Sequence, residues 1–317
     1  MSIRFIKRNI NFDFVGKQKI FISASLIVCA LSLVLIFGKG LNYGIDFLGG
    51  VTLQLKFKET TNVSFVRQTL AEAGFGAVTV QNIGEAQDNE YLIFLRSEAT
   101  KDETEESRVL TQFSTQALDV FKKKLGVDPS GGDKVEVRKT DLVGAKVGSD
   151  LKKGAYLSIL FSLILILIYI WFRFEYKYAP GAVIALVHDV TITLGVFAYF
   201  QKEFDLSVLA AILTLIGYSL NDTIVVFDRI RENVELRSGE HFPNIVNKSV
   251  NGTLSRTILT SLTTFFVVVA LYFFGGPVIN GFALALLVGI VVGTYSSIFI
   301  ASPILMWIHK RQELKNA

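Results

Sequence analysis

The sequence predicts a polytopic α-helical membrane protein with six transmembrane helices in a 1+5 arrangement and an α+β domain between helices 1 and 2. Two observations lead to this prediction. Of the 317 residues, 51% are hydrophobic and only 19% are charged, a more apolar composition than soluble domains usually have. The apolar residues also gather in six runs, each long enough to cross about 30 Å of hydrocarbon at about 1.5 Å per residue.

The first apolar run, residues 20–37, contains 18 residues without a charge. Basic residues precede it, so a cleaved signal peptide is an alternative interpretation. We favour an uncleaved membrane anchor, because the apolar core is long and no convincing small-residue cleavage site follows it.

Five further apolar runs follow Gly154, so the rest of the chain is expected to cross the membrane five times. In the last of them, Gly289 and Gly293 are expected to let a neighbouring helix approach closely, and lining a transport path is the alternative. The five predicted spans are residues 155–172, 179–200, 206–227, 257–274 and 281–308.

Lysine and arginine residues cluster between alternate spans, and the positive-inside rule places these clusters in the cytoplasm. We therefore predict a multi-pass protein of the plasma (inner) membrane with both termini cytoplasmic. The cluster DRIREN, residues 228–233, is expected to begin a cytoplasmic surface helix. The clustered basic residues are Arg4, Lys7, Arg8, Lys17, Lys19, Arg173, Lys177, Arg229, Arg231, Arg237, Lys248, Lys310, Arg311 and Lys315.

These features divide the sequence into five parts with distinct composition. The predicted parts are a cytoplasmic N-terminal segment (1–19), transmembrane helix 1 (20–37), an extracytoplasmic (periplasmic) α+β domain (38–153), a five-helix transmembrane domain (154–308) and a cytoplasmic tail (309–317).

The extracytoplasmic segment reads as strand, helix, strand, strand, helix, strand. Apolar and polar residues alternate over 50–57, as in a half-buried strand, and Asn62 or Ser64 can cap the helix that closes on Gly74. Acidic residues begin the second helix and lysines end it. This order suits a ferredoxin-like sheet, a fold that names no function by itself. Contact with an extended polypeptide and simple docking both remain open for this domain.

A carboxylate lies inside the fourth predicted span. Asp222, which follows Asn221, precedes Asp228 by six residues, hence by roughly 9 Å along a helix. A charge near a membrane-helix centre costs roughly 2.5–3.5 kcal/mol, so a partner or a function is expected. Arg256 in the fifth span begins a polar stripe that continues with Thr260, Thr263 and Thr264.

Two interpretations of Asp222 and Arg256 follow from these positions. A fixed ion pair could hold two helices together. Alternatively, Asp222 could alternate between an ionised and a protonated form as the pair closes and opens, which describes a proton relay. Asp222, Asn221 and threonine hydroxyls could also ligate Na⁺, so the coupling ion stays open.

The third span carries a second pair of ionisable residues, His188 and Asp189, also at membrane depth. Asp189 and Thr193 fall on one helix face. His188, Asp189 and Asn221 are secondary candidates for the relay. A hydrogen bond between helices is the alternative role for His188.

The sequence also argues against several classes of function. No glycine-rich loop ending in Gly-Lys-Ser/Thr supports nucleotide hydrolysis, and no ligand spacing indicates a metal or other cofactor. No basic patch interleaved with aromatic residues indicates nucleic-acid binding.

Three motifs resemble a known family. The sequence YGIDFLGG after the first span, GYSLNDTIVVFDRIREN at the end of the fourth and LSRTILTSLTTFFVVVALYFFGG in the fifth resemble the SecF family of protein-export membrane subunits. The resemblance implies a resistance-nodulation-division membrane protein without nucleotide hydrolysis, in which SecD supplies the other six-span half. It also implies proton-driven movement or release of exported polypeptides, with Asp222 and Arg256 as the functional ionisable residues.

The partners implied by the resemblance are SecD, the SecYEG channel, YajC, the translocating preprotein and the lipid bilayer. Two rival functions remain at this point. A lipid or small-molecule transporter would need a large apolar substrate pocket. A non-energised scaffold of the export channel would keep its function when Asp222 is neutralised.

Overall fold

The structure, a computed structural model, describes residues 11–75, 78–83, 88–96, 103–126, 133–174, 176–237 and 239–316. The basic residues Arg4, Lys7 and Arg8 lie outside the described residues. In chain order the elements are α1 (Phe14–Gly38), β1 (Asn42–Tyr43), α2 (Ile45–Leu48), β2 (Gly50–Phe57), α3 (Val63–Glu72), β3 (Thr79–Ile83), β4 (Glu90–Arg96), α4 (Glu103–Leu125), β5 (Val135–Val143), α5 (Ala145–Arg173), α6 (Ala179–Phe200), β6 (Glu203–Phe204), α7 (Leu206–Leu236), α8 (Phe242–Phe274), α9 (Pro277–Ser296), a π-helical turn (Ser297–Ala301) and α10 (Ser302–Asn316).

The chain divides into two compact units, one made of residues up to 42 together with those from 158 onward, and one made of residues 43–157. The first unit contains most of the apolar helices. Within the described residues, six helical segments are long and apolar enough to cross a membrane. They are α1, α5, α6, α7, α8 and the run from α9 through α10, so the predicted six spans are confirmed as helices.

Several helices extend further than the sequence predicts. α1 is capped by Asp13, whose carboxylate accepts a hydrogen bond from the Gly16 amide at 2.7 Å. α7 runs without a break to Leu236, so the prediction that residues 228–233 begin a new surface helix was wrong. α8 begins at Phe242, with proline in its first turn, well before the predicted span. Polar residues continue these helices because caps and packing, rather than hydropathy, set where they end.

The spans differ in how much of their surface is covered. α6, α7 and the last span are buried over about half of their length, whereas α1, α5 and α8 keep most apolar side chains exposed. Helices that are apolar on all sides are expected to face lipid. The three covered helices therefore form the interior where polar groups can be held away from lipid.

Close packing of the interior depends on glycine in α9. A Cβ on Gly289 would lie 2.3 Å from a Leu215 methyl group, and one on Gly293 would lie 3.0 Å from the Ser219 Cβ. Both contacts are tighter than side chains normally allow. The prediction that these glycines permit a close helix approach is confirmed, with α7 as the neighbour.

The second unit has its own core beneath a four-stranded antiparallel sheet in the order β3-β4-β2-β5. Alternate strand residues and one face each of α3 and α4 form that core, as a period of two on a strand predicts. The Asn62 side chain caps α3 by accepting a hydrogen bond from the Phe65 amide at 2.7 Å. Of the two predicted capping residues, Asn62 and Ser64, it is therefore Asn62 that caps the helix. The core residues include Val51, Leu53, Leu55, Phe57, Val66, Leu70, Ile93, Ala117 and Phe121.

Gly49, in the glycine pair before β2, has a φ of +75°. This left-handed conformation is one that residues with a Cβ adopt at a cost. A Cβ there would also lie 2.5 Å from the Ala145 Cα at the start of α5. Backbone geometry and packing therefore both require glycine at this point of the YGIDFLGG motif.

Candidate functional site

Asp222 lies on the interior face of α7, where only 4% of its surface is exposed. Its Oδ2 accepts a hydrogen bond from the Ser261 hydroxyl of α8 at 3.2 Å. The Ser261 hydroxyl in turn accepts from the Thr294 hydroxyl of α9 at 2.8 Å. Asp222, Ser261 and Thr294, here called the Asp222 cluster, thus connect three helices through one carboxylate and two hydroxyls.

Arg256 does not complete this cluster. It lies on the exposed side of α8, and in the part of the chain that the structure describes no carboxylate oxygen lies within 4.0 Å of its guanidinium. The direct Asp222–Arg256 ion pair expected from the sequence is therefore absent.

The predicted threonine stripe of α8 is exposed, and its hydroxyls bond to the helix itself. Thr260 donates to the Arg256 carbonyl at 3.0 Å, and Thr263 donates to the Leu259 carbonyl at 3.0 Å. The neighbouring stripe, Thr257 and Ser261, is the one that faces inward, at 1% and 7% exposure. Sequence reasoning selected the stripe with more polar residues, whereas packing against α7 and α9 decides which stripe meets Asp222.

Asp189 on α6 forms a second polar centre and is 1% exposed. Its Oδ2 accepts hydrogen bonds from the hydroxyls of Ser219 at 2.6 Å and Ser296 at 2.8 Å, and its Oδ1 lies 2.9 Å from His188 Nδ1. His188, Asp189, Ser219 and Ser296, here called the Asp189 cluster, connect α6, α7 and α9. Thr193, which the sequence places on the same helix face as Asp189, donates its hydroxyl to the Asp189 backbone carbonyl at 2.8 Å.

His188 faces Asp189 with one ring nitrogen and is 7% exposed. An ionised Asp189 carboxylate can only accept, so it selects the His188 tautomer that carries a proton on Nδ1. The other nitrogen, Nε2, is buried and has no hydrogen-bond partner among the described residues. The ring stacks on Tyr295, with centroids 6.2 Å apart, and the Tyr295 hydroxyl donates to the Phe21 carbonyl of α1 at 2.7 Å.

The two clusters lie side by side on the two helices that they share, α7 and α9. Ser219 and Asp222 are three residues apart on α7 and are therefore neighbours on its surface. Thr294 and Ser296 lie at the end of α9, directly before the π-helical turn. A turn of this kind inside a membrane helix is frequent at functional sites. Asn221, the fifth predicted site residue, is exposed and belongs to neither cluster, so the structure does not bring it together with Asp222 as a Na⁺ ligand.

A pocket of about 300 Å³ lies between α8 and α9 and reaches the Asp222 cluster. Ser261 and Thr294 supply its hydroxyl groups. The other residues that line it are Ile258, Leu262, Phe265, Ile290 and Val291. Because a hydroxyl can donate and accept, Ser261 and Thr294 can link this largely apolar pocket to the Asp222 carboxylate by hydrogen bonds.

Comparisons with known proteins identify the family. The family model described as "Protein export membrane protein SecD/SecF, C-terminal" matches residues 126–311, and the "SecD/SecF GG Motif" model matches residues 34–61. The chain belongs to the SecD/SecF family. The resemblance found in the sequence motifs is thereby confirmed, and the chain is a multi-pass membrane protein of this family.

Relatives within the SecD/SecF family cover almost the whole chain. A protein translocase subunit SecF from Calditerrivibrio nitroreducens is 46% identical over 302 residues, which are 95% of this chain and 95% of the relative. A protein translocase subunit SecF from Vibrio alginolyticus is 42% identical over 309 residues, 97% of this chain and 93% of the relative. Within the SecD/SecF family the chain therefore groups with SecF.

Solved structures of the SecD/SecF family show the same fold. The crystal structure of SecDF, a translocon-associated membrane protein from Thermus thermophilus, matches with a TM-score of 0.77 and 34% identity over 97% of this chain. A SecDF structure in a super-membrane-facing form matches with a TM-score of 0.68 and 35% identity over 99% of this chain. This chain spans only 39% and 41% of those two SecDF chains.

Proposed function

We propose that this chain is an accessory subunit of the Sec protein translocase. With SecD, it couples the proton motive force to the movement or release of exported polypeptides on the outer side of the membrane, without nucleotide hydrolysis of its own. The observation that carries this proposal is Asp222, a carboxylate that is 4% exposed inside a membrane-spanning helix and is bonded through Ser261 to Thr294. An ionisable residue in such a place points to ion movement by default.

The proton step uses groups that the Asp222 cluster already holds. Ionised Asp222 accepts a hydrogen bond from the Ser261 hydroxyl. Protonated Asp222 can instead donate a hydrogen bond to the Ser261 hydroxyl oxygen once that hydroxyl has rotated. Arg256, exposed on α8, stabilises the ionised form when it approaches. Each proton that crosses at 100 mV releases about 2.3 kcal/mol, so a few protons suffice to drive a domain movement. His188 and Asp189 are secondary candidates for this relay, which the change Asp189→Asn tests.

The expected partners follow from the family. SecD supplies the second six-span half, which agrees with this chain's covering about two fifths of the SecDF chains it matches. The SecYEG channel, YajC and the translocating preprotein complete the expected assembly. The basic residues at the ends of α5, α7 and α10 support an inner-membrane orientation with both termini cytoplasmic.

The extracytoplasmic domain is proposed to have a ferredoxin-like fold. Its four strands pair antiparallel in the order β3-β4-β2-β5, with one helix in each crossover, and this order supports the proposal. The role proposed for this domain is to pass movement from the spans to a polypeptide.

The test is export in cells depleted of the native subunit and supplied with the wild-type chain or with Asp222→Asn. Asparagine keeps the shape of the side chain but cannot ionise. We expect export of a secreted reporter to fall to the depleted level, while membrane abundance and co-purification with SecD stay normal. Arg256→Met is expected to behave in the same way.

The matched control is Asp228→Asn, the same change on the same helix. Asp228 is about half exposed and pairs with Arg173 at 3.6 Å and Arg231 at 3.2 Å, so its loss should leave export unchanged. Normal export with Asp222→Asn would overturn the relay and favour a non-energised scaffold. Export that follows an imposed Na⁺ gradient after the proton gradient has been collapsed would assign Na⁺ as the coupling ion.

A further inference from the structure

A pocket of about 380 Å³ lies where α5 and α10 end and α6 begins. Tyr176 and Lys177 line it from the turn between α5 and α6, and Trp307, Arg311 and Lys315 line it from α10. Since these helices span the membrane, their shared end lies at the boundary between hydrocarbon and water. The pocket therefore opens at the depth where phospholipid headgroups lie.

The pocket concentrates positive charge. Three of its eight lining residues are basic, namely Lys177, Arg311 and Lys315, and none is acidic. In the described part of the chain, Arg311 and Lys315 have no carboxylate oxygen within 4.0 Å. Arg173, at the end of α5, does form an ion pair, with Asp228 at 3.6 Å. Among the described residues, the charges of Arg311 and Lys315 are thus available to an anionic ligand.

Two aromatic residues orient the hydrogen-bond donors of the pocket. The Arg311 guanidinium stacks over the Trp307 ring at 3.9 Å, and a stacked guanidinium keeps its N–H groups, which point outward in its plane, available for a phosphate. The side-chain amide of Gln312 donates to the Tyr176 hydroxyl at 2.9 Å, so the hydroxyl proton can be donated onward. The site therefore combines charges with directed donors.

The rest of the pocket is apolar. Pro180, Ile308 and the rings of Trp307 and Tyr176 form its walls, and both rings are more than half exposed. Tryptophan and tyrosine with an apolar body and a polar edge are typical of the membrane interface. Free phosphate gains nothing from such walls, whereas the glycerol and upper acyl groups of a lipid would pack against them.

We infer that this pocket binds the headgroup of an anionic phospholipid. The phosphate lies between Arg311, Lys315 and the Tyr176 hydroxyl, Lys177 adds positive charge at the rim, and the glycerol region packs on Trp307. Basic pockets between membrane helices are known to hold anionic headgroups of this kind. The inference does not depend on the proposed proton coupling.

The experiment measures lipid binding to the full-length chain purified in detergent, by native mass spectrometry during titration with phosphatidylglycerol or phosphatidylethanolamine. The wild type is expected to bind phosphatidylglycerol at least tenfold more tightly. Each basic residue at a membrane surface contributes about fivefold in affinity, so Arg311→Gln with Lys315→Gln should weaken phosphatidylglycerol binding by about 30-fold. Lys310→Gln, a change of the same charge on α10 outside the pocket, should have little effect.

Three outcomes would overturn the inference. Equal wild-type affinities for the two lipids would do so whether or not the double variant folds. A loss with Lys310→Gln as large as that of the double variant would show a general effect of charge. Displacement of the lipid by millimolar inorganic phosphate would identify the pocket as a site for a free anion.

Discussion

The Asp189 cluster and the Asp222 cluster are two carboxylate centres on adjoining helices, and they differ in how fully their hydrogen bonds are satisfied. Asp189 has two serine hydroxyls and one histidine nitrogen within 2.9 Å. Asp222 accepts one hydrogen bond, from Ser261 at 3.2 Å, among the described residues. The Asp222 cluster also borders a pocket of about 300 Å³ through Ser261 and Thr294.

This difference distinguishes a carboxylate that holds helices together from one that can change its protonation state or its hydrogen-bond partner. A carboxylate whose oxygens are held by three neighbours stabilises one arrangement of helices, because each neighbour would lose a partner if it moved. A carboxylate with spare acceptor capacity beside a pocket can exchange a proton or a partner at lower cost. We therefore expect changes at Asp189 to act on stability first and changes at Asp222 to act on export first.

The largest effect on stability is expected for Asp189→Ala. Hydrogen bonds to a charged group contribute about 1.5–3 kcal/mol each, and Ser296 can partly compensate because its hydroxyl also lies 3.1 Å from the Gly293 carbonyl. The free energy of unfolding should fall by about 3 kcal/mol, with reduced abundance in the membrane. Thermal unfolding in detergent and membrane abundance measure this.

Asp189→Asn distinguishes a role in holding helices together from a role in the relay. Asparagine cannot ionise, but it can still accept a hydrogen bond from Ser219, Ser296 or both. We expect a smaller loss of stability than with alanine and export in proportion to abundance. Normal abundance without export would instead make Asp189 a relay residue equivalent to Asp222.

Gly293→Ala tests whether the close approach of α7 and α9 holds the Asp189 cluster together. The added Cβ would lie 3.0 Å from the Ser219 Cβ and 3.5 Å from Asp189 Oδ2. Overpacking of this kind costs about 1–3 kcal/mol in the free energy of unfolding. The matched control is Gly217→Ala on α7, where nothing lies within 4 Å of the added Cβ, and alanine should stabilise that helix by about 0.5–1 kcal/mol. Equal effects of the two changes would contradict the proposed packing.

Ser261→Ala tests the single hydrogen bond to Asp222. Loss of this bond should cost about 0.5–1.5 kcal/mol in unfolding free energy and should slow export more than that small loss explains, since the hydroxyl link to Thr294 is broken. Ser255→Ala is the control, because Ser255 lies on the exposed side of α8. Export with Ser261→Ala at the wild-type rate would remove the Ser261–Thr294 route and leave Asp222 to exchange protons by another path.

The smallest effect is expected at an exposed carboxylate of the second unit, Glu72. The hydrogen bonds that Lys124 and Gln68 donate lower the pKa of this carboxyl. Because the pKa is lower in the folded state, ionised Glu72 stabilises the fold at pH values above the unfolded-state pKa. This contribution is lost as the pH falls through the folded-state pKa. Because the group is fully exposed, Lys124→Met should leave the unfolding temperature unchanged within error at pH 7. A raised Glu72 pKa, followed by NMR, should be the only clear change.

The sequence by itself determined the six spans and the order of strands and helices in the second unit. It also determined the three ionisable residues inside spans, Asp222, Asp189 and His188. The length of a span and the cost of placing a charge inside it follow from hydropathy and from the fixed rise of a helix. Neither depends on which other helices pack against the span. The motifs also sufficed to identify the family, because a run as long as GYSLNDTIVVFDRIREN is far more specific than a short motif.

Only the tertiary structure decided which groups meet these carboxylates. The hydroxyl groups of the two clusters lie on different helices from the carboxylates; they belong to Ser219, Ser261, Thr294 and Ser296. Serine and threonine in a membrane helix usually bond to the backbone of their own helix, so the sequence around these four residues does not single them out. The expected Asp222–Arg256 contact depended on the rotation of α8, which turns Ser261 inward and Arg256 outward. A rotation of about 100° separates successive residues of a helix, so a partner is decided by packing angles that the periodicity of one helix does not contain.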